Sequence, residues 1–184
     1  MSLRITGGDL RGRRLAVPRG RATRPTPARV REAWFSAIAG RIPAASVLDL
    51  FAGSGALGIE ALSRGAARVD FVESDRRAAA VLRRNLERLE LGDRATVRLG
   101  DAFGALAAAE GSARRWDITL ADPPYASGDA ERVLAAFLRR PFADLLCVEH
   151  AARSSLAADG APQVVWSRRY GDTAVTFFIG NRGD

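Results

Sequence analysis

Residues 46–58 read Ser-Val-Leu-Asp-Leu-Phe-Ala-Gly-Ser-Gly-Ala-Leu-Gly, an apolar β-type run that breaks into G-x-G-x-x-G at Gly53, Gly55 and Gly58. A strand that hands over to a helix through a tight glycine turn is the opening of a parallel α/β unit, and it constrains the fold more than any other feature of the chain. The alternation continues downstream. Short β-type runs are predicted at 46–51, 69–72, 95–99, 117–121 and 145–148, with helical segments between them. The clearest helix covers 76–89, where Ala78, Val81, Leu82, Leu86 and Leu89 form one apolar stripe. Such alternation predicts an α/β fold with a mostly parallel sheet and helices on both faces. At the C-terminal end, runs at 163–166 and 173–179 flank Tyr170-Gly171-Asp172 and predict an antiparallel hairpin. In sheets of this kind, ligands bind outside the carboxyl ends of the strands, so the residues just after each strand matter most.

The segment ahead of the alternation differs in charge. Residues 1–41 hold ten arginines against Asp9 and Glu32, a net +8, while the other 143 residues carry −1. Residues 4–18 read as a β-hairpin arm turning at Gly7-Gly8-Asp9, and 19–26 as a Gly/Pro/Arg connector. A helix then starts at Pro27, with Val30, Trp34, Ala37 and Ile38 inward and Arg29 and Arg31 on other faces. The expected organisation is a basic arm and packing helix at 1–41 and a ligand-binding domain at 42–184. A basic arm on a near-neutral domain suits a polyanion, because arginine forks pair with phosphates and release counterions; a solvated arm is the plainer alternative. Cys147, the one cysteine, lies in the apolar run 145–148 and reads as a buried thiol in a reducing compartment. No secretory signal or membrane-spanning run is read in the sequence, so the expected location is cytoplasmic. With one histidine and one cysteine, no transition-metal site is expected.

The glycine turn alone serves dinucleotides and S-adenosylmethionine equally. Asp49 helps to choose, because a carboxylate beneath the loop Phe51-Ala52-Gly53-Ser54-Gly55 would repel a pyrophosphate yet suit a ligand bearing an ammonium and a sulfonium. Glu73, after the second run, is placed to accept from ribose hydroxyls, and Asp101, followed by Ala102, from an adenine amino group. Either acid could instead be a helix N-terminal charge. Three acids at successive strand ends favour the joint cofactor reading.

Asp122-Pro123-Pro124-Tyr125, after the fourth run, is the most specific signal. An exocyclic amine is a poor nucleophile because its lone pair is delocalised into the ring. The Asp122 carboxylate and a backbone carbonyl, Pro123 by preference, can accept both N–H protons and turn the lone pair out of plane. The prolines fix φ and remove competing donors, and Tyr125 offers a face for a base withdrawn from its stack. His150 is expected in a surface or strand-end role, and Trp34, Trp116 and Trp166 in the core or its margin.

With these residues in view, the chain resembles the bacterial 16S ribosomal RNA guanine-N2 methyltransferases of the small subunit. The likeness runs from Arg4-Ile5-Thr6-Gly7-Gly8 and Arg11-Gly12-Arg13 through Arg24-Pro25-Thr26 and Arg29-Val30-Arg31-Glu32 to the glycine loop and Asp122 to Tyr125. It departs from the pattern at Pro27-Ala28, where a polar pair is expected. The resemblance implies a class I, Rossmann-like methyltransferase fold. It implies S-adenosylmethionine as cofactor, bound by Gly53, Ser54, Gly55, Glu73 and Asp101, with Asp122 to Tyr125 lining the target base. The partner implied is 16S ribosomal RNA or the assembling small subunit, and Arg4, Arg11, Arg13, Arg14, Arg21 and Arg24 are the candidate RNA-binding residues. A monomer is expected. The alternatives are an adenine-N6 or cytosine-N4 DNA methyltransferase, for which no target-recognition domain is evident, and a noncatalytic RNA-binding module, in which loss of Asp122 or of the glycine loop is expected.

Overall fold

The computed structural model describes residues 3–18, 27–111, 115–125, 127–154, 156 and 164–180. The arm is a small antiparallel pair, β1 (Leu3–Arg4) with β2 (Arg14–Leu15), followed by α1 (Ala28–Ala37). The alternating part runs β3 (Ser46–Leu50), α2 (Ala56–Ser63), β4 (Arg68–Glu73), α3 (Arg76–Arg88), β5 (Ala95–Leu99), α4 (Ala102–Gly111), β6 (Trp116–Ala121), α5 (Asp129–Arg139) and β7 (Ala143–Ala151). A hairpin of β8 (Val164–Tyr170) and β9 (Thr173–Ile179) completes it. Among the described residues no helix is long and apolar enough to cross a membrane.

Seven strands form one sheet in the order β5-β4-β3-β6-β7-β9-β8; the five through β7 are parallel, and β9 is antiparallel to both neighbours. The chain leaves β3 in one direction and returns on its other side at β6, which puts the switch-point crevice outside the ends of these two strands. Because side chains alternate along a strand, each face of the sheet has its own core. Val47, Leu145 and Cys147 pack on one face with Leu3, Leu15, Trp34, Phe35 and Leu82. Leu48, Leu50, Leu146 and Val148 pack on the other with Leu106, Val133 and Phe137. Each fully buried Leu or Phe stabilises the fold by about 1.5–3 kcal/mol.

The expected elements are present, several with shifted ends, as in β7, expected at 145–148 and running from 143 to 151, and three further differences matter. The inward face of α1 is Val30, Arg31, Trp34 and Phe35, and Ala37 is exposed, so Arg31 does not lie on an outer face. It is 1% exposed and donates to the Arg4 carbonyl at 2.6 Å. Burial pulls its pKa down while the carboxylates of Glu60 and Glu149 push it back up. Secondly, β8 runs on to Tyr170, because pairing with β9 continues to the Gly171-Asp172 turn after a bulge near Trp166. Thirdly, the buried face of α3 takes in Ala79 and Asn85, while Val81 of the expected stripe is only half-buried. Cys147 is fully buried, which pushes its thiol pKa up. Trp34 and Trp116 are buried, and Trp166 stacks on Phe177 with ring centroids 4.5 Å apart.

Candidate active site

The β3–β5 ends supply acids fastened to backbone. Asp49, on β3, is 1% exposed and its Oδ2 accepts from the Gly58 amide at 2.9 Å. Burial drives its carboxyl up to about 8; the Gly58 bond opposes this, and the nearby charges of Asp122 and Glu73 add to it. These three acids therefore converge on the switch point. Glu73, at the end of β4 and 4% exposed, braces the glycine loop from the side, with Oε2 accepting from Gly53 N at 2.6 Å and Oε1 from Asp75 N at 2.7 Å. Asp75, not Glu73, caps α3, accepting from Arg77 N and Ala78 N. Asp101 is exposed at the end of β5 and caps α4 through Gly104 N at 2.8 Å, with Ala102 buried behind it.

Local sequence makes this cradle. Gly55 has φ +86°, and a Cβ there would strike Leu82 of α3; a Cβ on Gly58 would strike Phe71 and Val69 of β4. Both glycines let α2 start against its neighbours. Phe51 adopts φ 60°, an unusual value for an aromatic residue, and its ring meets Phe103 edge-on. Backbone strain of this kind costs on the order of 1–3 kcal/mol and persists where the surroundings fix it. Here the surroundings are the Ala52 amide bonded to Val72 O at 3.0 Å and the Asn85 amide bonded to Ser54 O at 3.0 Å.

The β6–β9 ends are built from side chains. Asp122 is half-buried just past β6, Pro123 is buried, and Pro124 and Tyr125 are exposed. Ser127 donates its hydroxyl to the Pro124 carbonyl at 2.7 Å, which leaves the Pro123 carbonyl as the better partner for a substrate amine. The Tyr125 ring is 47% exposed. Its hydroxyl donates to Glu149 Oε1 at 2.6 Å and shares a second hydrogen bond with Thr173 Oγ1 at 2.7 Å. Burial first, then the bond to Glu149, push the phenol pKa up. A small, open depression lies beside this group, lined by Pro123, Pro124, Tyr125, Glu131 and Glu149 among others. His150 is at the strand end as expected but is not on the surface: it is 5% exposed, with Nε2 2.9 Å from Thr176 Oγ1 and Nδ1 3.0 Å from Ala151 O. Burial lowers its pKa.

The arm is clamped to the cradle. Glu60 of α2, fully buried, accepts from Thr6 N, Thr6 Oγ1, Gly7 N and Arg64 Nε at 2.7–2.8 Å. Ser63 accepts from Leu10 N and donates to Gly7 O. Asn85 exchanges hydrogen bonds with both backbone groups of Ala16 while also holding Ser54. Arg4, Arg11, Arg13 and Arg14 are exposed, and Arg13 and Arg14 lie against Arg88 of α3. Arg21 and Arg24 fall outside the described residues. Sequence reading missed Glu60, Asn85, Glu149 and Thr173. A buried acid inside the apolar helix run 57–62 was a signal for Glu60; Thr173 has no such signal.

Comparison with known proteins supplies the remaining observation. A family model described as "Conserved hypothetical protein 95" matches residues 3–179. The ribosomal RNA small subunit methyltransferase D of Escherichia coli (strain K12) is 43% identical over 132 residues, which cover 72% of this chain and 65% of that protein. A solved structure from Escherichia coli superposes with a TM-score of 0.84 at 35% identity, covering 100% of both chains. An RNA methyltransferase from Salinibacter ruber, solved with S-adenosyl-L-homocysteine, shares the fold at a TM-score of 0.66 and 16% identity, covering 88% of this chain and 96% of that one.

Proposed function

The chain belongs to the conserved hypothetical protein 95 family, and on that premise we propose that it is an S-adenosylmethionine-dependent methyltransferase acting on the exocyclic N2 amine of a guanine in 16S ribosomal RNA. The observation that carries this reading is the convergence of Asp49, Glu73 and Asp122 on one switch point, with the glycine loop on one side and Tyr125 on the other. The relative named a ribosomal RNA small subunit methyltransferase spans more than the matched stretch, so its substrate is carried over as part of the proposal.

The residues present fit the cofactor. A Cβ at Gly53 would meet nothing nearer than the Phe51 carbonyl at 4.0 Å, which leaves room for a ligand against the loop. Phe51, Ala52, Gly53, Ser54 and Gly55 form the backbone wall. Each Glu73 oxygen has a second lone pair beyond its amide partner, which would accept from ribose hydroxyls. Asp101, with Ala102 beside it, would accept from the adenine amine. Asp49, whose carboxyl burial drives up to about 8, stays mostly protonated near neutrality and so offers a polar group beneath the loop, not the negative charge expected of it. When bound, the cofactor supplies a methyl group on a sulfonium and leaves as S-adenosylhomocysteine.

On the substrate side, Asp122 and the Pro123 carbonyl accept the two N2 protons and turn the lone pair toward the methyl carbon. As the N–C bond forms, positive charge develops on N2. The Asp122 carboxylate offsets that charge and takes the proton the amine sheds. Pro124 shapes the wall, and Tyr125 stacks on the guanine. Arg4, Arg11, Arg13 and Arg14, with Arg21 and Arg24 on the connector, hold phosphates, and residues 42–184 carry the chemistry. The protein works as a cytoplasmic monomer on 16S RNA or on the assembling small subunit.

The test is tritiated methyl transfer to 16S RNA and to small subunits from cells lacking the activity, followed by base mapping. N2-methylguanine at one site is the expected product. Label in DNA, or on adenine N6 or cytosine N4, overturns the substrate assignment.

A further inference from the structure

Tyr125 carries the exposed aromatic face of the site, yet it stands on a loop after β6, where no ladder hydrogen bonds fix it. A ring that stacks on a base must hold its plane, because stacking weakens rapidly with tilt and distance. At its backbone end the tyrosine follows two prolines of fixed φ. At its far end the hydroxyl is held from two other strands, by Glu149 of β7 at 2.6 Å and Thr173 of β9 at 2.7 Å. These residues are not cross-strand partners, since Glu149 pairs with Val175 and Thr173 with Ala151. The hydroxyl instead bridges the two strands near the end of their pairing.

We propose that Glu149 is a positioning residue for the target base, acting through the Tyr125 hydroxyl, with Thr173 as its accessory. The proposal rests on the methyltransferase reading above. Several features set this contact apart from an ordinary strand-end hydrogen bond. Glu149 is 2% exposed, and a carboxylate is costly to bury without compensation. Its compensation comes from the phenol on one side and from the buried Arg31 guanidinium, which feels both Glu149 and Glu60, on the other. A carboxylate acceptor gives a shorter and stronger bond than a neutral one, so the ring is held more stiffly. Burial and the bond to Glu149 push the phenol pKa up, which favours the protonated, donating form of the tether. A pinned ring presents the base without first losing side-chain freedom, as preorganised sites do.

The experiment combines rates with a direct view of the ring. Glu149→Ala, Glu149→Gln, Tyr125→Phe, Thr173→Val and the Tyr125→Phe/Glu149→Ala double variant are compared in single turnovers on small-subunit RNA with saturating S-adenosylmethionine. Glu149→Ala and Tyr125→Phe are expected to slow methyl transfer roughly 10- to 100-fold, the scale of an ångström-level misplacement. Affinity for S-adenosylhomocysteine should not change. Glu149→Gln, which keeps an acceptor oxygen, should recover most of the rate, and the double variant should be no slower than either single one. A wild-type rate in Glu149→Ala, or full additivity in the double variant, overturns the proposal. The chain has two tyrosines, so 3-fluorotyrosine labelling gives two ¹⁹F signals, and Tyr125→Phe identifies one. Glu149→Ala should shift or broaden the Tyr125 signal, and an unmoved signal also overturns the tether. Should Glu149→Ala fail to fold, Glu149→Gln, Tyr125→Phe and Thr173→Val decide the question. If the wild-type protein methylates no RNA, the functional reading falls by itself, and the ¹⁹F spectra still judge the tether.

Discussion

On the β3–β5 side of the switch point the carboxylates are fastened to backbone amides, whereas on the β6–β9 side the polar groups are fastened to one another. Asp49 holds Gly58, Glu73 holds Gly53 and Asp75, and Asp101 holds Gly104. Across the sheet, Tyr125 holds Glu149 and Thr173, and His150 sits against Thr176. Backbone amides move only with the chain, so the first half is a fixed cradle suited to a cofactor of constant shape. Side-chain pairs fix one another, so the second half presents the Tyr125 ring already oriented. The difference teaches that the two proposed ligand surfaces are held in place by different means.

The comparison breaks most visibly at Asp122. Asp122→Ala should cut single-turnover methyl transfer by about 10² to 10⁴ and leave affinity for S-adenosylhomocysteine intact, because the carboxylate is proposed to serve the base amine. Asp122→Asn should retain more activity if acceptor capacity matters most. Equal loss of rate and cofactor affinity would show that the halves are not separate.

Glu73→Ala tests the cradle. It removes an acceptor from two amides and the proposed acceptor for the ribose, and hydrogen bonds to a charged group are worth about 1.5–3 kcal/mol. Calorimetry should show S-adenosylhomocysteine affinity falling roughly 10- to 100-fold. An unchanged affinity would remove Glu73 from the cofactor site.

Asp49 sharpens the comparison through pH. Its folded carboxyl titrates near 8 against an ordinary value of 3.8. Below the ordinary value both states are protonated; between the two values the unfolded chain ionises while the folded one keeps its proton. Stability should therefore fall as pH rises through that window, by up to about 1.4 kcal/mol per pH unit, and level off above it. Asp49→Asn should flatten this dependence in urea titrations at pH 5 and pH 8, and its advantage over wild type should grow with pH. Parallel pH slopes in the two proteins would contradict the buried-acid account.

The smallest effect is expected at the arm, which serves neither half directly. Charge reversal at Arg11, Arg13 and Arg14 should weaken RNA binding and reduce its salt slope by roughly one for each phosphate no longer neutralised, with little change in the rate on bound RNA. An unaltered slope would make these arginines a solvated face.

By itself the sequence determined whatever depends on neighbours along the chain. The strand-turn-helix at 46–58, the acids at the ends of β4 and β5 and the Asp122 to Tyr125 turn are local patterns, and their spacing is enough to recognise them. Most of the Asp49 and Glu73 contacts are legible for the same reason, because their partners lie 2 to 20 residues away. Tertiary structure decided the rest. Burial of Arg31 follows from where Arg4, Glu60 and Glu149 come together, and its place in an arginine-rich helix gave no sign of that. The clamp of Asn85 on Ala16 spans 69 residues, and the Tyr125 to Thr173 contact spans 48. Pairings of that range are set by which strands and helices pack together, and a hydrogen-bonding side chain looks the same in sequence whatever distant partner the fold brings to it.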